Sequence, residues 1–124
     1  MKLKDVLEKM NAPEEVFEFY SEQDRLSEKL EVISDEDLKY FTSVFKCLAN
    51  PIRLKLLFLL SKSHCVCVLS YLTGLDITLV SHHLAKLKEC KLVKVSSRAR
   101  MRIYEANIEK IKYFIETFSR LFEC

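Results

Sequence analysis

A single glycine and two prolines in 124 residues constrain this chain more than any other feature. Glycine and proline form tight turns and mark the ends of strands, so their scarcity excludes a fold of many short strands. Apolar residues make up 49% of the chain, enough for one domain with an ordinary core. The sequence therefore predicts a mainly α-helical fold with a small β-hairpin.

The first third of the chain predicts two helices. Residues 3–10 favour a short helix interrupted near Asn11, and Pro13 suits the first position of the next helix. Apolar residues then recur at helical spacing, so we expect one long helix that packs by this face and keeps its acidic face in water. The apolar residues are Phe19, Leu26, Leu30 and Ile33.

Two further helices have recognisable start signals. Ser34, followed by three acidic residues, resembles a capping box, and Asn50 caps a helix whose first residue is proline. Residues 51–62 are apolar nearly all round, so we expect a central buried helix with Arg53 at an exposed position. The helix after Ser34 carries one apolar stripe, formed by Leu38, Phe41, Phe45 and Leu48.

The middle of the chain has the spacing of a helix-turn-helix. After a connection at residues 64–67, a short helix ends at Gly74, the only glycine, and Asp76 caps a longer helix that runs to about Cys90. On the longer helix, one face is apolar and another carries short polar side chains. The apolar residues are Val80, Leu84 and Leu87, and the polar ones are Thr78, Ser81, His82 and Lys86.

A basic segment follows the longer helix. Residues 78–102 hold seven Lys or Arg and one acidic residue, whereas residues 1–40 carry a net charge of −6. Arg98, Arg100 and Arg102 repeat at every second position, which on an extended segment places them on one side. A polar helix face beside a basic ribbon is the arrangement that reads DNA. The alternative is a solvated basic face without a partner.

The end of the chain predicts a helix with a heptad-like seam. Such a helix either closes the core or, as we expect, joins the N-terminal helix in a two-fold dimer interface. We therefore divide the chain into an N-terminal helical dimerisation element (1–33), a DNA-binding domain (34–106) and a C-terminal dimerisation helix (107–124). The seam consists of Ile108, Ile111, Ile115, Phe118 and Phe122.

No signal peptide and no apolar run of bilayer length are visible, so we expect a cytoplasmic protein. Its five cysteines lack the spacing of a disulfide scaffold and would be free thiols in a reducing cytosol. The chain also lacks a glycine-rich phosphate loop and a nucleophile with its base and orienting residue. We do not expect an enzyme.

Four collinear segments resemble the ArsR/SmtB family of winged-helix metalloregulators. Residues 45–54 (FKCLANPIRL) are similar to its first signature, residues 65–67 (CVC) to its metal-binding motif, and residues 80–87 (VSHHLAKL) to its recognition helix. An arginine-rich hairpin at residues 92–104 looks like its wing. The resemblance covers about residues 38–106.

This resemblance implies a homodimeric repressor that leaves double-stranded operator DNA when a metal or metalloid binds. It implies a recognition helix in the major groove and a wing at the neighbouring minor groove or backbone, while His83 is interpreted as a partly buried, hydrogen-bonded structural residue. The implied groove contacts are Thr78, Ser81, His82 and Lys86, and the implied phosphate contacts are Arg98, Arg100 and Arg102.

The chain departs from the family at two wing positions. Where members often have glycine, this chain has Lys91 and Ala99. Neither residue adopts a left-handed conformation easily. We therefore expect a different turn geometry there, and phosphate contacts by the wing in preference to base contacts.

Cys65 and Cys67 are the candidate metal ligands. At a frayed helix start their sulfurs can converge on a soft ion: arsenite or antimonite, cadmium, lead, zinc or copper(I). No resident cofactor is required. A third ligand could come from His64, or from Cys47 or Cys124 of either subunit. The alternatives are that the pair only fills a helix start, that the regulator responds to thiol oxidation or to nothing, and that the winged helix is a protein-interaction module.

Overall fold

The structure, a computed structural model, describes residues 1–123. By their contacts they form two compact units, Met1–Asp35 and a second unit that begins at Glu36. The expected mainly α-helical fold with a small hairpin is confirmed. The helices are α1 (Leu3–Lys9), α2 (Glu14–Glu22), α3 (Asp35–Leu48), α4 (Pro51–Leu59), α5 (Val66–Thr73), α6 (Ile77–Glu89) and α7 (Ile108–Arg120), and the strands are β1 (His64–Cys65), β2 (Val93–Arg98) and β3 (Met101–Ala106).

The N-terminal unit differs from the predicted long helix. α2 follows Pro13 but ends at Glu22, and Asp24 then adopts a left-handed conformation with φ 53°. The chain returns to the start of the unit, where the backbone N–H of Leu3 donates to Glu28 at 2.8 Å. The prediction of one helix to Ile33 is wrong because this return pairing replaces helical hydrogen bonds that periodicity alone had favoured.

Helix α3 begins directly after Ser34, as predicted, but its buried face is rotated from the predicted stripe. Phe41, Val44 and Cys47 are buried, whereas Leu38 is 49% exposed. Phe45, 42% exposed, covers part of α7 with its ring. The buried residues recur at i, i+3 and i+6, which is also helical spacing. Periodicity therefore predicted the helix but not which of two adjacent stripes faces the core.

Helix α4 starts where predicted and is less buried than predicted. Asn50 caps it, because its Oδ1 accepts from the backbone N–H groups of Ile52 at 2.9 Å and Arg53 at 3.1 Å. Of the helix itself only Leu56 is fully buried, while Phe58 is 73% exposed. The expectation of a central buried helix with an exposed Arg53 is wrong, since that arginine is half-buried.

The helix-turn-helix is confirmed in its spacing and end signals. Helix α5 ends at Gly74, which adopts φ 69°. Asp76 caps α6 by accepting from the backbone N–H of Thr78 at 3.0 Å. The predicted apolar stripe of α6 is fully buried against the core and consists of Val80, Leu84 and Leu87.

The sheet has three strands in the order β1-β3-β2, all antiparallel. The β2–β3 hairpin was predicted, but β1 was expected to be a connection. It is a strand because His64 and Cys65 pair with Tyr104 and Ile103. Two-residue strands have too little pattern for periodicity to detect them.

The wing keeps glycine-type turns without glycine. Lys91 has φ 62° and Ala99, in the two-residue turn between the paired Arg98 and Met101, has φ 55°. The expectation that turn geometry would change at these positions is wrong. The hairpin pairing and the close of α6 impose the conformation on residues that disfavour it.

Helix α7 packs on α3 through aromatic rings. Phe114 is buried, and its ring centroid lies 5.8 Å from that of Phe41 and 5.1 Å from that of Phe45. Asn107 caps the helix by accepting from Lys110 N–H at 3.3 Å. The predicted seam lies beside Phe114, and Ile115 within it is 58% exposed. One chain therefore leaves most of that seam uncovered.

Candidate functional site

The polar residues predicted on α6 form its outer face. Thr78, Ser81, His82 and Lys86 are all exposed, opposite the buried apolar stripe of the same helix. Lys86 Nζ lies 3.9 Å from Glu89 Oε2, a solvent-exposed pair that holds the lysine only loosely. These side chains are exposed, so they can hydrogen-bond to a partner molecule that contacts the outer face of α6.

His83 is structural in its location, as predicted, but not in its hydrogen bonding. It is only 8% exposed, and its Nδ1 has no hydrogen-bond partner among the described residues. Burial lowers the pKa of His83, and the nearby charges of Arg53 and His82 lower it further. The expected hydrogen bond is therefore missing at Nδ1, and the surroundings of His83 disfavour the protonated imidazolium.

The three arginines of the wing do not share one side. Partners across an antiparallel ladder point to the same face, and neighbours along a strand point to opposite faces. Arg98 pairs with Met101 and Arg102 pairs with Ser97, so Arg98 and Arg102 lie on opposite faces. The expectation of one side is wrong because the hairpin turn, with Arg100 in it, lies between the two strands.

Arg102 is the arginine on the side of the recognition helix. Its guanidinium carbon lies 5.8 Å from the ring centroid of the buried Tyr104, a cation–π contact. Arg102 and Tyr104 line a groove together with four residues of α6, which are Ser81, Ala85, Lys88 and Glu89. The three arginines are therefore spread over the wing. Arg102 borders the groove beside α6, Arg100 lies in the turn at the tip of the wing, and Arg98 lies on the opposite face of the hairpin.

Cys65 and Cys67 come together at the start of α5. Their sulfurs are 2.8 Å apart, with Cys65 half-buried and Cys67 exposed. Hydrogen bonding with Cys67 lowers the pKa of the Cys65 thiol, assisted by the backbone N–H of Val68, and the same pairing raises the pKa of Cys67. A thiol with a lowered pKa beside a second, accessible thiol is a two-sulfur donor set that suits a soft ion.

A third ligand does not join this pair within residues 1–123. No group of three or more His, Cys, Asp or Glu side chains in that part of the chain could hold a metal ion. His64 and Cys65 are successive strand residues, so their side chains point to opposite faces. Cys124, another predicted candidate, lies outside the described residues.

Cys47 and Cys90 form a separate, inner pair. The Cys47 thiol donates to the backbone carbonyl of Lys86 at 3.5 Å, and the backbone N–H of Cys90 donates to the same carbonyl at 3.2 Å. Burial, with hydrogen bonding to Cys90, raises the pKa of Cys47 to about 12. Cys47 is therefore a protonated packing residue, and it is not brought to the Cys65–Cys67 pair.

Sequence reasoning missed two features of this region. The first is the pairing of Cys65 with Ile103, the residue next to Arg102, which links the thiol pair directly to the wing. The second is the exposure of Ile77 and Leu79 at the start of α6, 48% and 38% respectively. The position of Leu79 off the buried stripe could have revealed its exposure. Ile77 continues that stripe at the end of the helix, so spacing alone does not reveal its exposure, and the first feature depends on long-range pairing.

The comparisons agree on one family. The model of the bacterial regulatory protein arsR family matches residues 50–95, which run from the cap of α4 into β2. No curated protein matched the sequence. No helix within residues 1–123 is both long enough and apolar enough to cross a membrane.

Solved structures of this family share the fold. NolR from Sinorhizobium fredii is 24% identical, with a TM-score of 0.60, covering 75% of this chain and 97% of its own. HlyU from Vibrio cholerae is 29% identical, with a TM-score of 0.60 and coverages of 72% and 98%. The homodimeric winged helix-turn-helix DNA-binding domain of Mb0332 from Mycobacterium bovis is 27% identical, with a TM-score of 0.59 and coverages of 76% and 92%.

The family match covers α4, α5 and α6, and the three structural matches each cover between 72% and 76% of the chain. Residues 50–95 therefore match the arsR family of bacterial regulatory proteins, and the chain is built on a winged helix-turn-helix domain like that of the solved structures it resembles.

Proposed function

We propose that the protein is a homodimeric repressor that binds operator DNA through α6 and the wing. The observation that carries this proposal is the exposed polar face of α6 beside Arg102 of the β2–β3 hairpin. Hydroxyl and imidazole groups can hydrogen-bond base edges in the major groove, and arginine neutralises phosphate. Thr78, Ser81, His82 and Lys86 are the proposed groove contacts, and Arg98, Arg100 and Arg102 are the proposed phosphate contacts.

The positions of the arginines refine this proposal. Arg102 borders the α6 outer face, so it would contact a phosphate at the edge of the groove that α6 enters. Arg100 at the turn and Arg98 on the outer face would contact phosphates farther along the backbone. Such contacts fix the orientation of the protein on the duplex and are independent of sequence.

A gel-shift assay with the DNA upstream of the protein's own operon tests DNA binding. Arg100→Ala should weaken binding to all sequences, whereas His82→Ala should reduce the preference for the operator over unrelated duplex. Lys112→Ala, which removes an exposed charge from α7, is the matched control and should bind as wild type does. Absence of salt-sensitive, sequence-preferring binding by the wild-type protein would sink the proposal.

The proposed dimer uses the uncovered seam of α7, with the N-terminal element contributing as well. Ile115 and Phe122 are 58% and 75% exposed in one chain, and a second copy would remove them from water. Ile115→Glu should shift the protein toward monomer in sedimentation equilibrium. Lys110→Glu introduces the same residue off the seam and should leave the dimer intact; equal behaviour of both variants would exclude the seam.

The inducer site is proposed at Cys65 and Cys67. The thiol pair fits a thiophilic ion because its sulfurs already converge at 2.8 Å and the pKa of Cys65 is lowered, which favours the ligating thiolate. Arsenite, antimonite, cadmium, lead, zinc and copper(I) share this chemistry. Cys65 and Cys67 would hold such an ion through their sulfurs.

The chain connects this pair to both DNA-binding elements. Cys65 lies in β1, which pairs with the wing strand β3, and Cys67 lies in the first turn of α5, which packs on α6. Any change in the relative positions of the two cysteines therefore acts on wing and recognition helix together. Such a change would lower operator affinity if it disfavours the DNA-binding arrangement.

Operator binding in the presence of arsenite or cadmium tests the inducer site. Either ion should lower the affinity of the wild-type protein and have no effect on the Cys65→Ser, Cys67→Ser double variant. Cys90→Ser, which removes a half-buried thiol elsewhere, is the control and should respond as wild type does. If the double variant responds equally, the pair is excluded as the sensor.

A further inference from the structure

We propose that Ile77 and Leu79 read the methyl groups of thymine, so that the operator carries thymine where the first turn of α6 enters the major groove. This inference rests on the proposed DNA binding and adds two residues that determine specificity. Both are large apolar side chains on the surface of the helix that would contact bases, 48% and 38% exposed.

These residues lie at the leading end of α6. Ile77 is its first residue, and Thr78 between them is held by the Asp76 cap. Side chains of a helix tilt toward its N-terminus, so side chains of the first turn project ahead of the helix. The N-terminal residues of a recognition helix contact base edges. Ile77, Thr78 and Leu79 thus form the part of α6 that would meet the bases first.

Neither side chain is fully buried, whereas the stripe of α6 formed by Val80, Leu84 and Leu87 shows no exposure. Two residues apart on a helix differ by about 200° around its axis, so Ile77 and Leu79 lie on opposite flanks of Thr78. They do not form one continuous apolar patch for a protein partner. They flank a hydroxyl group instead.

The chemistry of the major groove limits what they can contact. Among the groups that the four base pairs present there, the thymine C5-methyl is the apolar one; the others are hydrogen-bond donors and acceptors. Residues 78–102 carry seven basic residues and one acidic residue, so this region favours a polyanionic partner. Apolar side chains facing a DNA groove in this setting match thymine methyl groups.

Thymine-to-uracil replacement tests the inference, because deoxyuridine lacks only the methyl group. A preferred duplex is first selected from a randomised pool with the wild-type full-length protein. Each thymine is then replaced singly by deoxyuridine, and the dissociation constant is measured. We expect about a three- to fourfold loss of affinity per contacted methyl. Leu79→Ala should abolish the loss at one position and Ile77→Ala at another.

Leu72→Ala is the matched control. Leu72 is 54% exposed on α5, and the variant should keep the full discrimination between thymine and uracil. Equal wild-type affinity for thymine and uracil duplexes, or a selected duplex without thymine at its preferred positions, overturns the inference and leaves DNA binding intact. Failure to select any duplex overturns the proposed DNA binding and this inference with it.

Discussion

Lys91 and Ala99, which lie before and after the β2 strand, each adopt a left-handed backbone conformation that residues with a Cβ disfavour. Lys91 follows the close of α6, where its backbone N–H donates to Lys88 at 2.9 Å, and Ala99 lies in the hairpin turn. For a residue with a Cβ, the left-handed region costs roughly 1–2 kcal/mol. The native fold therefore contains local strain at both residues, next to a surface proposed to contact DNA.

Ala99→Gly should relieve part of this strain and raise the free energy of unfolding by about 1 kcal/mol, because glycine adopts positive φ without a steric penalty. Urea unfolding followed by circular dichroism measures it. Ala85→Gly is the control: Ala85 is exposed inside α6, so glycine should lower stability there by about 1 kcal/mol. A loss of stability in both variants would contradict the strain at Ala99.

His83 gives the fold a pH dependence of known sign. Burial lowers the pKa of His83 in the folded state below the ordinary value of 6.5. As the pH falls, the unfolded chain therefore takes up a proton at a higher pH than the folded chain does. The free energy of unfolding should therefore fall as the pH drops through 6.5. His83→Gln should show a smaller loss between pH 7 and pH 5 in urea titrations. Parallel losses in both proteins would contradict this account.

At the scale of elements, caps were more predictable than faces. Gly74, Asp76 and Asn50 end or begin helices where the sequence indicated, because each acts through its own backbone or side chain. The buried face of α3 and the exposure of α4 were mispredicted, because both depend on neighbours that periodicity does not specify. Helix ends can therefore be predicted from a sequence, whereas the choice between two adjacent apolar stripes for the buried face cannot.

The candidate site shows the same division. The outer face of α6 followed from helical spacing, since one buried stripe determines the opposite face. The faces of Arg98 and Arg102 did not, because they depend on where the hairpin turns. The partner strand of Cys65 lies 38 residues away, at Ile103, and pairing over such a distance leaves no local signal.

Asn50→Ala should destabilise the protein by about 1 kcal/mol, because two backbone N–H groups of α4 lose their acceptor. Thermal or urea unfolding measures the loss. Asn50→Asp retains a capping oxygen and is the control, which should stay within a few tenths of a kcal/mol of wild type. If both variants lost the same stability, the cap would not be the cause.

At the scale of the molecule, the chain comprises two compact units, each defined by the contacts among its own residues. The second, from Glu36 onward, contains the helix-turn-helix, the sheet and α7, and thus a core of its own. It meets the requirements of a domain that folds alone. The N-terminal unit carries most of the acidic charge.

A protein truncated to residues 36–124 should therefore fold. We expect one cooperative unfolding transition and a helical circular dichroism spectrum, since the caps of α4, α6 and α7 and the aromatic contacts between α3 and α7 lie within this range. Wild-type protein under the same conditions is the reference. A truncated chain without a cooperative transition would show that the second unit depends on residues 1–35.

The brevity of β1 has a consequence for the motions of the wing. Its two residues hold one edge of the sheet, whereas β2 and β3 pair over six residues. Local opening costs least where few contacts must break, so β1 can detach while the hairpin stays intact. The β1–β3 pairing, which links Cys65 to the wing, is therefore the part of the sheet that opens most easily. Its opening determines how far the hairpin can move relative to α5.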